Sequence, residues 1–100
     1  MKDCEEGALN MESIINIDIP IQMISCTDRD GKITPIRFRF QDKNDEIVTI
    51  NIESVISRKL DTNKACTKYT CSAHVHGIQK TFVLNYNFCL HQWKLIKAYS

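Results

Sequence analysis

A chain of 100 residues, 43% of them hydrophobic and with only three Gly and two Pro, has the material for one buried core and is too apolar to be disordered. Thirteen basic residues against twelve acidic ones leave a formal net charge of +1, so no global field draws it to nucleic acid or to a membrane surface. A domain of this size can bury more than half of its unfolded surface, so neither a metal nor a disulfide frame is required for folding.

The opening stretch M-K-D-C-E-E-G is acidic, and no apolar signal core follows it. No apolar run approaches the roughly 20 residues that a membrane-spanning helix needs. Five cysteines (Cys4, Cys26, Cys66, Cys71, Cys89) are odd in number and scattered, which suits reduced thiols. The expectation is a cytoplasmic chain with no cofactor and no contact with membranes. Residues 1–13 are expected to form an N-terminal extension, flexible or weakly helical, and residues 14–100 a single β-domain.

The first element is I-N-I-D-I-P-I-Q-M at residues 15–23, where odd positions are apolar and even ones mostly polar. Successive side chains of a strand point to opposite faces, so this period places Ile15, Ile17, Ile19, Ile21 and Met23 on one greasy face. I-R-F-R-F at residues 36–40 repeats the pattern with Ile36, Phe38 and Phe40 inward. Asp30-Gly31 between them is a two-residue type I′ turn signal. It pairs Arg29 with Lys32, and hence Met23 with Phe38 and Ile21 with Phe40. A slip of one residue would expose one of the two apolar faces.

A three-residue loop, Lys43-Asn44-Asp45, leads to the third strand and pairs Phe40 with Val48 and Phe38 with Ile50. Val55 and Ile56 interrupt the alternation, which points to a bulge near Glu53-Ser54 or a short helical turn. The polar stretch from Arg58 to Ala65 reads as a loop. From Thr67 onwards Tyr69, Cys71, Ala73 and Val75 share a face. His76-Gly77 makes a tight turn that pairs Val75 with Ile78, Cys71 with Phe82 and Tyr69 with Leu84. Phe82, Leu84 and Tyr86, then Trp93 and Leu95, complete the inward set.

The expected fold is therefore all-β. Six antiparallel strands, roughly 14–27, 32–41, 46–56, 66–75, 78–87 and 91–98, form a meander curled into a small barrel or a strongly bent sheet. Pro20 has no N–H for a ladder, which makes the first strand an edge. The stretch D-R-D-G-K-I-T-P-I-R-F-R-F, followed by V-T-I-N-I, Y-T-C, a short Gly turn and a closing W-K-L, resembles a family of small uncharacterised proteins of Gram-positive, clostridial-type bacteria. The resemblance covers roughly residues 20–97, with the first 18 outside it. It implies a small bacterial β-domain and lends no catalytic or binding residues.

Cys66, Cys71, His74 and His76 have the look of a zinc cluster, since zinc takes about four Cys or His ligands in a tetrahedron. On a strand, however, Cys71 faces the core while His74 faces water, and Cys66 to His74 spans roughly 26 Å at about 3.3 Å per residue. Cys71 reads better as a small core residue, and no metal ligand is assigned. The same opposition of faces denies Cys71 the base that a nucleophile needs, and Cys89 near His91 lacks an orienting carboxylate. No catalytic residue is assigned and no enzyme activity is expected.

Arg37 and Arg39 form the best lead. They project together from the polar face of the second strand, about 7 Å apart by strand geometry. The register sets Asn51 opposite Arg37, Thr49 opposite Arg39, and Glu53 diagonal to Arg37. Lys68, Lys80 and Lys94 are candidates to extend this basic face into a polyanion-binding surface. Single-strand binders usually add exposed aromatics, and here nearly every aromatic has inward parity, with Phe88 and Tyr99 the foremost exceptions. The expectation is a non-enzymatic accessory or protein-interaction module, with an unidentified protein partner or self-association through the first strand. The alternative is weak binding of nucleic acid or another polyanion through Arg37, Arg39, Lys68 and Lys94.

Overall fold

The computed structural model describes the backbone of residues 15–99 and the side chains of residues 18–99. The expected N-terminal extension, residues 1–13, lies outside the described residues. All regular structure among those described is β-strand. In chain order the strands are β1 (Ile15–Pro20), β2 (Gln22–Thr27), β3 (Ile33–Gln41), β4 (Ile47–Asn51), β5 (Ser54–Asp61), β6 (Cys66–Val75), β7 (Ile78–Asn87) and β8 (Gln92–Tyr99). They form two antiparallel sheets, a five-stranded one in the order β1-β8-β7-β6-β5 and a three-stranded one in the order β2-β3-β4.

This corrects the expected six-stranded meander and its barrel. Among the described residues there are eight strands in two sheets, and no barrel closes. Two of the expected strands bend at a corner and change partner sheet, as in packings where strands switch sheets. The first breaks at Ile21, whose N–H donates to the Trp93 carbonyl at 3.1 Å, while Gln22 already pairs with Arg39. The third breaks between Ile52 and Glu53. The Ile52 amide donates to Ile36 of β3 and the next amide, Glu53, donates to Ser72 of β6, both at 2.9 Å. Pro20 lies on β1, an edge strand as expected. Pro35, the residue before Ile36, pairs with Ser25 of β2.

The polar stretch 58–65 is not a loop throughout, because its first four residues belong to β5. The bulge that hides this strand falls at Ile56, between the pairs Val55–Cys71 and Ser57–Thr70, rather than at Glu53-Ser54. Inward parity thereby passes from Val55 to Arg58 and Leu60. Arg58 lies over the Tyr69 ring at 5.9 Å from its centroid, so a charged side chain occupies a position where the alternation calls for an apolar one.

The other turns follow local chemistry. His76 (φ 54°) and Gly77 (φ 79°) both take the left-handed conformation that a type I′ turn demands. Lys43-Asn44-Asp45 is a three-residue loop as expected, and the Asp42 carboxylate caps it by accepting the Asn44 and Glu46 amides. The first hairpin uses the same device rather than a two-residue turn. Asp28 accepts the Asp30 and Lys32 amides at 2.9 Å, and the loop is Arg29-Asp30-Gly31 with Gly31 at φ 87°. The longer loop shifts the register by one, and a bulge at Ile36 shifts it back, so Met23 still faces Phe38. Ile36, expected inward, is 43% exposed as the bulged residue, while Pro35 beside it is fully buried.

The inner faces of the two sheets meet in one core. Phe38 and Ile50 of the small sheet join Tyr69, Cys71, Phe82, Leu84, Trp93 and Leu95 of the large one. Phe38 meets Phe82 edge to face with centroids 5.5 Å apart. The Tyr69 hydroxyl donates to the Ile33 carbonyl at 2.8 Å and ties one sheet to the other at the margin of that core.

Candidate functional site

Because the inner faces pack on each other, the two outer faces point away from one another. On the outer face of the small sheet the register builds a grid of two rows, Ile24–Arg37–Asn51 and Gln22–Arg39–Thr49. The expected cross-strand partners, Asn51 of Arg37 and Thr49 of Arg39, are therefore in place. Between the rows lies a groove of about 370 Å³ lined by Gln22, Ile24, Arg37, Arg39 and Thr49, with the backbone of Met23 and Phe38 beneath. Arg39 Nε donates to Gln22 Oε1, which holds that guanidinium across the β2–β3 pair. Neither arginine has a carboxylate within salt-bridge distance among the described residues. Ile24, at the rim, is 56% exposed.

Glu53 does not neutralise Arg37. Its Oε2 takes His74 Nδ1 at 2.6 Å and the His74 amide at 3.2 Å, across the corner where β4 becomes β5. The basic face is also not continuous. Lys68 and Lys94 stand on the outer face of the large sheet, on the far side of the molecule from Arg37 and Arg39. Lys80 pairs with Ala73 and shares the inward parity of Phe82. Sequence parity alone could have set Lys80 apart; the separation of Lys68 and Lys94 required knowing that two sheets form.

The cysteine and histidine candidates part as the parity argument expects, with Cys71 wholly buried and His74 exposed. Burial pushes the Cys71 thiol up to about 11, which keeps it protonated and unreactive near neutral pH. Among the described residues no three His, Cys, Asp or Glu side chains converge as metal ligands. Cys26 and Cys89 are exposed free thiols, whereas Cys66 and Cys71 are buried. A short pulse of iodoacetamide at pH 8 is expected to alkylate Cys26 and Cys89 and to spare Cys71 until denaturant is added. Mass spectrometry of tryptic peptides reads this, and rapid native labelling of Cys71 would contradict the packing.

Among the described residues no helix is long and apolar enough to cross a membrane. Fold and site together define a small two-sheet antiparallel β-domain with an arginine-lined groove on one outer face. No protein-family model matches the chain, and neither a curated protein nor a solved structure does.

Proposed function

We propose that this chain is a non-catalytic interaction domain whose partner is an extended, acidic protein segment lying along β2 and over Arg37 and Arg39. The observation that carries the reading is the exposed groove in which two adjacent guanidinium groups stand without a carboxylate partner among the described residues. Guanidinium offers a planar fork of donors that matches carboxylates. Among the described residues β2 is an edge of its sheet with no strand on its outer side, where another strand could add while Ile24 provides an apolar contact. The inert Cys71 thiol favours binding over nucleophilic catalysis, and free thiols at Cys26 and Cys89 favour a reducing compartment such as the cytoplasm. The likeness to small clostridial-type proteins belongs to this proposal as well. Self-association through the first strand now reduces to pairing through β2 or β1, and light scattering on concentrated protein tests it.

The peptide acetyl-(Glu-Val)5-amide, fluorescently labelled, is the probe for the groove. Arg37→Glu/Arg39→Glu is expected to weaken its binding at least about tenfold, the equivalent of about 1.4 kcal/mol, with an unchanged thermal melt. Binding that survives the double charge reversal, or is absent for the wild type at low salt, would remove this reading.

A further inference from the structure

We infer that the outer face of the five-stranded sheet is a platform for single-stranded nucleic acid, with a row of lysines for the backbone and Tyr99 for a base. This surface is distinct from the arginine groove and faces the opposite way.

The strand register places Lys59 directly opposite Lys68, Lys68 opposite Asn85, and Asn85 opposite Lys94. Directly paired residues share a face, so Lys59, Lys68, Asn85 and Lys94 stand in one row across four strands spaced about 4.8 Å apart, with Lys94 two strands from Lys68. Lys97 follows in the next row, opposite Val83, and a bulge at Ile96 keeps Lys94 and Lys97 on the same face. Two like charges opposite each other on neighbouring strands destabilise a sheet. Lys59 and Lys68 nonetheless form such a pair, and among the described residues neither has a carboxylate within salt-bridge distance. Lys94 meets Asp18 only at 3.8 Å. Between Lys59 and Lys68 lies a hollow of about 200 Å³, whose walls add Lys64, Asn85, Ile96 and Asp61. Three lysines against the single carboxylate of Asp61 line it, so an anionic oxygen seated there would relieve the repulsion.

The aromatic element decides which polyanion fits. Ala98 packs on the core opposite Phe82, so Tyr99, paired with Thr81, turns to the outer face. It is half-buried, and follows Lys97 two residues along β8 on the same face. A basic track beside an aromatic ring is how sequence-tolerant single-strand binders hold phosphates and stack bases. An acidic peptide would use the lysines and leave the ring unemployed.

Fluorescence anisotropy with a labelled 15-nucleotide oligo(dT), titrated at several salt concentrations, tests the inference on the full chain. Four lysine–phosphate contacts give a slope of log K against log salt of roughly −3, at about 0.7 per contact for single strands. Lys59→Glu/Lys94→Glu is expected to weaken binding at least tenfold and to flatten that slope. Lys59→Glu alone replaces the repulsive pair with an attractive one, so it should bind more weakly while melting no lower than the wild type. Tyr99→Ala should lose about fivefold or more with the slope intact, the mark of stacking. Arg37→Glu/Arg39→Glu, on the other face, should bind oligo(dT) as the wild type does, so failure here is separable from failure of the groove. Absence of binding at low salt, indifference to the lysine substitutions, or poly-glutamate binding as tightly with no effect of Tyr99→Ala would each overturn the inference.

Discussion

Phe38→Asp is expected to abolish cooperative unfolding, while Arg39→Asp, one residue away, leaves the melt almost unchanged. Phe38 is 1% exposed and packs against Phe82 across the interface between the sheets. Truncating such a ring costs about 3–5 kcal/mol. An unpaired carboxylate in its place adds a desolvation penalty of several kcal/mol more. A domain of this size has only about 5–15 kcal/mol in total. Arg39 points outward, and its hydrogen bond to Gln22 is a surface contact, so its replacement should stay within about 0.5 kcal/mol. Circular dichroism of both variants on heating decides the matter. Equal stability would refute the register of β3.

The second large effect belongs to Tyr69. Tyr69→Phe keeps the ring but leaves the Ile33 carbonyl without the hydroxyl that serves it. The bond is partly buried, so its loss is expected to cost about 0.5–1.5 kcal/mol, and each kcal/mol lowers the melting temperature of such a domain by about 4–8 °C. Tyr69→Ala also removes the ring packed 5.3 Å from Trp93 and should be worse by a further 3–5 kcal/mol or so. The difference between the two variants separates the bond that joins the sheets from the packing around it. A Phe variant as stable as the wild type would show that the bond contributes nothing to their docking.

These two residues also mark how far the linear pattern can be read. Phe38 and Tyr69 are inward by parity alone, and the structure buries both. The pairings of Arg37 with Asn51 and Arg39 with Thr49 follow from loop length and parity, and they define the groove. The first hairpin is legible for a different reason. Its turn is one residue longer than the Asp30-Gly31 signal suggests, and the bulge at Ile36 restores the register, so the pairing of Met23 with Phe38 results from two opposing shifts. β5 was not legible. Its bulge at Ile56 reverses the parity, and Arg58 then takes an inward position by lying on an aromatic ring instead of pairing with a carboxylate. With β5 taken for a loop, Lys59 could not be set opposite Lys68, and the lysine row was invisible.

By itself the sequence determines most of the side chains that face inward, Ile36 and those of β5 apart, where most of the hairpins turn, and that Cys71 and His74 cannot meet. All of these are local, because pleat geometry and turn chemistry act over a few residues. Only the tertiary structure decides that the strands divide between two sheets, and hence that Arg37 and Arg39 look one way while Lys68 and Lys94 look the other. That division rests on where two consecutive amides, Ile52 and Glu53, find their acceptors. One goes to Ile36 and the other to Ser72, and no pattern in the strand itself distinguishes them.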